Sequence, residues 1–323
     1  MNKKSVPLAQ NKLLGHILAF AFYIGLGYFL FVAASNMNYV WKWNSIPKYF
    51  TYIETINVEA PVDGKFVLED GQYAVLSYDE NKEVLNITNE YTLEINTGEE
   101  IYEGDVLASI SQRKLGPVLI GLWVTLKISF FSALLTFVIG VTLAFMRLSH
   151  IQAFKDIASV YIAVIRGTPL LVQIFLFYFI VANLFELDRF TAGVFSLGIF
   201  FGAYMAEVLR GAIQSIDKGQ MEAANSLGIS YFNTMRHIIL PQAFKRALPT
   251  LVGEMIALVK DSSLVSVIAI TDLTKVGKEI VANTFSPFET WIVIALVYLS
   301  ITFTMTYFGH RLEQNMNSKG GMS

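Results

Sequence analysis

Residues 220–249 read QMEAANSLGISYFNTMRHIILPQAFKRALP, a polar stretch of about thirty residues lying between strongly apolar segments. Its neighbours make it a loop joining two membrane-crossing segments. Inside it, Glu222-Ala223-Ala224 is followed after three residues by Gly228, and after nine more by Ile238-Ile239-Leu240-Pro241. Ala223, Ala224 and Gly228 are small, so a helix bearing them can enter a cleft and the chain can turn sharply after it. Glu222 is placed near the start of that helix, where the helix dipole favours an anion. Pro241 has no N–H to lose at the start of the following helix. The bland reading is an amphipathic helix lying on the lipid surface. A bare E-A-A-x3-G would not exclude it, because such triplets are frequent in helices.

Composition points to lipid as the solvent. Hydrophobic residues are 54% of the 323-residue chain and charged residues only 15%, more apolar surface than a soluble chain could hide. A net charge of −2 carries no nucleic-acid signal. The chain has no cysteine, which excludes disulfides, thiolate metal sites and cysteine nucleophiles. His16, His150, His237 and His310 lack ligand spacing and read as interfacial or loop residues, so neither a metal nor another cofactor is expected.

Six stretches satisfy the requirement of about 20 apolar residues for a bilayer crossing. They run from about Leu13 to Ser35, Val118 to Met146, Ile157 to Leu184, Thr191 to Ile216, Leu248 to Ile270 and Thr290 to Phe308. The first is too long and aromatic for a secretory signal and reads as a retained anchor. Lys3, Lys4 and Lys12, then Arg147 and Lys155, then Lys218, Arg236, Lys245 and Arg246, and finally Arg311 fall on one side of alternate crossings. The positive-inside rule therefore puts both termini and the Glu222 loop in the cytoplasm. Trp41, Trp43 and Trp291 fall at span ends on the other side, as interfacial anchors do; Lys275 and Lys278 dilute the rule without reversing it.

Residues 49–113 differ in character. They hold fourteen of the 26 acidic residues, and short alternating stretches are separated by Asp63-Gly64, Asp70-Gly71, Thr97-Gly98 and Glu103-Gly104-Asp105. This is a small all-β pattern, with an expected core of Ile56, Val58, Val62, Phe66, Val75, Leu76, Ile87, Leu93, Ile95, Ile101, Val106 and Leu107. Ala60-Pro61-Val62-Asp63-Gly64 and Gly98-x2-Ile101-x2-Gly104-Asp105-x-Leu107 resemble the half-motifs of lipoyl-type β-sandwich hybrids. The modified lysine of a carrier would fall near Ile53, where none stands, so a swinging-arm role is rejected. The expected organisation is a cytoplasmic N-terminus and anchor helix over 1–48, a periplasmic β-rich insertion over 49–113, a helical core over 114–314 with a cytoplasmic loop at 217–246, and a cytoplasmic tail over 315–323. The fold class is an all-α polytopic membrane protein of six transmembrane helices carrying a small inserted β domain.

The E-A-A-x3-G-x9-I-x-L-P spacing resembles the ATPase-docking loop of ATP-binding-cassette importer permeases. From Gly116 to about Gln314 the chain resembles the polar amino-acid uptake permeases, the family of histidine, glutamine and arginine importers. The phrases that carry this are Gly121-Leu122-Trp123-Val124-Thr125-Leu126-Lys127-Ile128-Ser129, Arg166-Gly167-Thr168-Pro169-Leu170-Leu171-Val172-Gln173, Tyr204-Met205-Ala206-Glu207 with Arg210-Gly211, and Lys260-Asp261-Ser262-Ser263-Leu264. The resemblance implies a permease core of five spans, a multi-pass place in a bacterial inner membrane, a second permease subunit, two ATPase subunits, a solute-binding protein and a polar amino acid as cargo. It also implies docking through Glu222, Ala223, Ala224, Gly228, Leu240 and Pro241. This chain departs from the family in its sixth span and in the insertion that splits the approach from Trp43-Asn44-x-Ile46-Pro47-x-Tyr49 to Gly121-Leu122.

The chain has no G-x4-G-K-S/T phosphate loop: Gly64-Lys65 is followed by Phe66 and Gly277-Lys278 by Glu279. Energy must come from a partner, and the chain itself reads as a transport subunit with no catalytic residues. Ionisable residues within spans are costly and rarely idle. The candidate substrate path comprises Arg166, Thr168, Glu207, Lys260, Asp261, Ser262 and Ser263, with Glu254 at a depth similar to Arg166. Lys260 and Asp261 offer both charge signs that a zwitterionic amino acid needs, and half-helix ends near Thr168-Pro169 could add backbone dipoles. Lys260–Asp261 reads equally as an internal structural pair, and Arg166–Glu207 reads more as a structural pair than as a substrate contact. A secondary transporter, or a receptor or channel without an ATPase partner, is the alternative; it would leave the Glu222 loop unexplained. No H-E-x-x-H or G-x-S-x-G supports an intramembrane enzyme.

Overall fold

The computed structural model describes residues 12–36, 39–69, 71–78, 81–88 and 90–318. Lys3, Lys4, Asp70 and the last five residues of the expected tail lie outside them. The chain divides into two compact units, residues 1–44 and 45–323. The first contains α1 (Lys12–Ser35), an apolar helix of 24 residues, about 36 Å long at 1.5 Å per residue. In the same unit the rings of Trp41 and Trp43 stack 5.6 Å apart.

The second unit starts with the short helix α2 (Ile46–Phe50) and then seven strands: β1 (Thr51–Glu59), β2 (Gly64–Glu69), β3 (Gln72–Ser77), β4 (Lys82–Leu85), β5 (Thr92–Leu93), β6 (Glu100–Ile101) and β7 (Val106–Leu115). They make a three-stranded sheet in the order β1-β7-β5 and a four-stranded sheet in the order β4-β3-β2-β6. Alternation of apolar and polar residues fixes the inward face. Phe66, Val75, Ile101, Leu107 and Ala60 are buried together, whereas Leu93 points outward at 38% exposure.

The long β1–β7 ladder closes on itself at its base. Thr51 pairs with Leu115, and the Gly116 N–H donates to the Phe50 carbonyl at 2.6 Å. Tyr49, one residue before that bond, is buried with Val118, Leu273, Val276, Ile280 and Ile294. Its hydroxyl lies 3.3 Å from Ser286 Oγ and 3.2 Å from Ser45 Oγ. The strands are thus inserted between two adjacent points of the helical packing.

The helices that follow are α3 (Pro117–Leu148), α4 (Gln152–Arg166), α5 (Leu170–Leu176), α6 (Arg189–Gln214), α7 (Lys218–Ser226), α8 (Tyr231–Thr234), α9 (Leu240–Asp261), α10 (Leu273–Thr284) and α11 (Pro287–Ser318). α3 and α6 approach closely through glycines, as small residues allow in membrane helices. A Cβ on Gly202 would meet Ile139 Cγ2 at 2.6 Å, and one on Gly140 would meet Met205 Cγ at 2.7 Å. The main core lies beside this contact, with Ile128, Ile174, Leu197, Phe201, Leu258 and Val265 buried together.

Among the described residues, α1, α3, α6 and α11 are long and apolar enough to cross a membrane, and a bent α4–α5 pair makes a fifth crossing if taken as one. Six spans are expected from the sequence, and two of them differ in the structure. The stretch from Ile157 to Leu184 is broken: its two halves meet at 107° across Gly167-Thr168-Pro169. Proline ends the helical hydrogen bonding and biases the residue before it away from helix. After α5 the chain runs as a π-helical segment, Phe177–Ala182. The stretch from Leu248 to Ile270 is also not one apolar helix. α9 begins earlier, carries Pro249, Glu254, Lys260 and Asp261, and gives way to a 3-10 segment, Ser262–Ile268. That segment ends at Ala269 in the left-handed region, φ +62°.

Candidate functional site

The 217–246 loop is built from caps. Asp217 starts α7, its carboxylate accepting the Gly219 N–H at 2.6 Å. Glu222 therefore sits in the middle of α7, four residues after Lys218, and the dipole argument made for Glu222 belongs to Asp217 instead. At the other end, the Gly228 N–H donates to Asn225 O and the Ile229 N–H to Ala224 O, both at 3.0 Å. This is the Schellman closure, which needs a left-handed residue just past the helix end. Gly228 supplies it with φ +72°.

The spacing from Ala224 to Gly228 is thus the spacing of the capping motif itself. Glu222 and Ala223 lie on the exposed part of α7 or at its edge, while Ala224 is buried. Leu227, Tyr231 and Phe232 are exposed apolar side chains. After α8 a π-helical turn, Met235–Ile239, leads into α9, which opens with Leu240-Pro241. The Arg246 guanidinium donates to Ser215 Oγ at 3.1 Å, tying α9 back to the end of α6.

A second group converges on Glu207 of α6. Arg210, one turn later, holds both carboxylate oxygens, with Nη2 at 2.7 Å and Nε at 3.1 Å. Arg147, at the end of α3, approaches with Nε at 3.6 Å and also bonds Ser159 of α4. Arg166, the last residue of α4, reaches the same carboxylate only at 4.0 Å and lies 5.1 Å from the Tyr204 ring centroid. The sequence pairs Glu207 with Arg166; in the structure its tight partner is Arg210. Sequence reasoning missed Arg147 and Arg210 as partners. The i,i+3 spacing of Glu207 and Arg210 was the available signal, but Arg147 is sixty residues away and nothing local marks it.

Thr168 lies at the break between α4 and α5. The Gln173 amide donates to Ile165 O at 2.7 Å, to Thr168 Oγ1 at 2.6 Å and to Thr168 O at 3.3 Å. Gln173 thus satisfies carbonyls that α4 leaves open where it stops.

Lys260 and Asp261 form no ion pair with one another among the described residues. Consecutive helix positions point about 100° apart. Ser262 is fully buried and donates to Val259 O at 2.8 Å, with Ser129 Oγ at 3.4 Å. Lys260 and Ser263 line a cavity of about 270 Å³ together with Thr274, Trp291 and Tyr298. Glu254 lies on the same helix, seven residues before Asp261.

Residues 119–318 match the family described as the binding-protein-dependent transport system inner membrane component. The chain belongs to that family. It is 42% identical over 204 residues to the glutamine transport system permease protein GlnP of Escherichia coli (strain K12), covering 62% of this chain and 93% of that protein. It is 37% identical over 203 residues to the arginine transport system permease protein ArtQ of Bacillus subtilis (strain 168), with the same coverages. A crystal structure of an amino acid ABC transporter with histidines superposes with a TM-score of 0.58 at 42% identity, covering 62% of this chain and 94% of that one. An inward-facing structure of the MetNI methionine ABC transporter shares the fold at 18% identity, with a TM-score of 0.54. The chain is an integral inner-membrane transport component with several apolar helices. The strands and α1 precede the family match.

Proposed function

We propose that this chain is the permease subunit of an ATP-driven importer for a polar amino acid delivered by a solute-binding protein. The observation that carries this is the α7 turn. Glu222, Ala223 and Ala224 are held on a short helix closed by a Schellman turn at Gly228, with Leu240-Pro241 opening α9. That arrangement presents a small-residue helix with Leu227 exposed at its end, a surface suited to the cleft of an ATPase subunit. Relatives named as glutamine and arginine permeases support a polar amino acid as cargo.

On this reading α1, α3, the bent α4–α5 pair, α6, α9 with its 3-10 extension, and α11 make six crossings. Both termini face the cytoplasm, and residues 51–115 face outward, where they meet the delivery protein or cap the vestibule. Two permease subunits, the same chain or a paralogue, would flank the path with one ATPase below each. Domain closure of the ATPases is then transmitted as a rigid-body transition. Lys260, Asp261 and Ser263, with Arg166 and Glu254 deeper, offer the cationic and anionic partners that the carboxylate and ammonium of an amino acid need. Glu207 with its arginines, and Thr168 with Gln173, hold the helices that form the inner end of that path.

The test is co-purification of the ATPase subunit with Glu222→Lys and Gly228→Asp, alongside uptake of a labelled amino-acid panel. Both variants should insert normally yet lose ATPase and uptake. Wild-type co-purification and uptake in both would remove the docking assignment. Asp261→Asn should lower uptake or change the preferred amino acid while the ATPase stays bound.

A further inference from the structure

The cytoplasmic end of α3 carries a groove that shares only Leu240 with the docking residues and nothing with the ion cluster. Its volume is about 590 Å³, within the roughly 300–1,000 Å³ of small-molecule sites. One wall is Phe145 and Leu148 from the last turn of α3; the other is Tyr231, Phe232 and Leu240. The groove continues a stripe of exposed apolar side chains along α3, at Phe130, Leu134, Phe137, Val138 and Phe145. Residues spaced by three and four occupy one helix face, so these side chains form one apolar face of α3 that leads to the groove.

The groove's polar lining offers N–H and O–H donors. Arg236, His150 and Ser149 line it, and no carboxylate does. The His150 ring lies 6.1 Å from that of Tyr231. Ser149 Oγ accepts the Ile151 N–H at 3.1 Å, which leaves its own proton free to donate. Guanidinium, imidazole and hydroxyl at the water end of an aromatic groove are the chemistry of a phosphodiester with acyl chains attached. Basic pockets at the cytoplasmic ends of spanning helices bind anionic headgroups by this means.

We propose that this groove binds one anionic phospholipid of the inner leaflet, its phosphate on Arg236 and His150 and an acyl chain along Phe145 and the α3 stripe. Because Tyr231, Phe232 and Arg236 lie on the segment that follows Gly228, the bound lipid braces the proposed docking turn. The inference rests on the reading that the Leu148 end of α3 faces the cytoplasm.

The experiment is native mass spectrometry of the purified full-length chain, titrated with phosphatidylglycerol and separately with phosphatidylcholine. One equivalent of phosphatidylglycerol should bind at least tenfold more tightly than phosphatidylcholine. Arg236→Gln should abolish most of that preference, Arg236→Lys should keep part of it, and Lys155→Gln, outside the groove, should leave it unchanged. Melting temperatures confirm that each variant is folded. Equal binding of the two lipids, or full retention in Arg236→Gln, would overturn the proposal. So would a photo-crosslinker at Phe232 that labels the ATPase or a second copy instead of lipid. The chain lacks cysteine, so Ser149→Cys reports sidedness. Labelling by an impermeant thiol reagent only after permeabilisation supports the inner-leaflet placement, and labelling in intact cells overturns it. Loss of the ATPase-docking reading would leave the lipid titration intact, so the two failures are distinguishable.

Discussion

Glu207→Gln removes the one carboxylate shared by three guanidinium groups, and the geometry ranks what each loses. At an effective dielectric near 20, Coulomb attraction at 2.7, 3.6 and 4.0 Å comes to roughly 6, 5 and 4 kcal/mol before desolvation. Those gross terms differ little; hydrogen bonding and exposure separate the pairs. Arg210 makes two charge-assisted bonds and should couple by about 1.5–3 kcal/mol. Arg147 lies at 3.6 Å with no hydrogen bond to the carboxylate, and should couple by about 1 kcal/mol. Arg166, whose side chain is 45% exposed, should couple by less than about 1 kcal/mol after solvent screening. Glu207 is only 19% exposed, so its loss leaves the partly buried Arg210 and Arg147 without their anion and should cost about 3 kcal/mol. That corresponds to a melting-temperature loss on the order of 5–10 °C. The assay is thermal unfolding in lipid nanodiscs of Glu207→Gln, each of Arg147→Gln, Arg166→Gln and Arg210→Gln, and the three double variants. A coupling to Arg166 larger than that to Arg210, or no coupling to Arg210, would refute the reading of the cluster as an anchor joining α3, α4 and α6.

Gly228→Ala meets nothing within 4 Å of the new Cβ, so its whole cost, about 1–2 kcal/mol, comes from the left-handed backbone. ATPase co-purification should weaken several-fold with Ala and less with Asn, and undiminished retention with Ala would contradict a required Schellman turn. Asp188 caps α6, accepting the Thr191 hydroxyl at 2.5 Å and the Thr191 N–H at 3.1 Å. These bonds hold its carboxyl below its ordinary 3.8, so the native state favours the ionised form. The stabilisation is full above about pH 4 and fades as pH falls through the native value. Asp188→Ala should therefore cost about 1 kcal/mol at pH 7, and its melting-temperature difference from the parent should shrink towards pH 3; a difference that grew on acidification would reverse the sign. Replacing residues 51–115 with Asn-Gly should leave the helical core's melting temperature within a few degrees, since Phe50 and Gly116 are already hydrogen-bonded at 2.6 Å and a two-residue turn can close that pair. Collapse of the core, checked by size-exclusion and thermal scans, would show that the strands brace the helices.

Where a property depends on near neighbours, the chain alone determines it. The apolar runs of α1, α3, α6 and α11 are legible because a bilayer crossing demands uninterrupted length. The Glu222–Gly228 spacing is legible because helix end and left-handed residue lie within a few positions of each other. The β alternation of 51–115 is legible for the same reason, with period two built into the backbone. What only the tertiary structure decided involves groups brought together from afar or helices stopped by their own chemistry. Hydropathy cannot show that 157–184 bends by 107°, because Leu and Phe are equally apolar on either side of Gly167-Thr168-Pro169. Nor can it show that Gln173 fills the carbonyls left at the break. Glu207 looks as if it belongs to Arg166 in sequence, yet α3 delivers Arg147 and its own helix delivers Arg210. Phe50 and Gly116, which flank the insertion, are 66 residues apart along the chain but one hydrogen bond apart in space. Side-chain charge and backbone bias are properties of single residues; distance between them belongs to the packed fold.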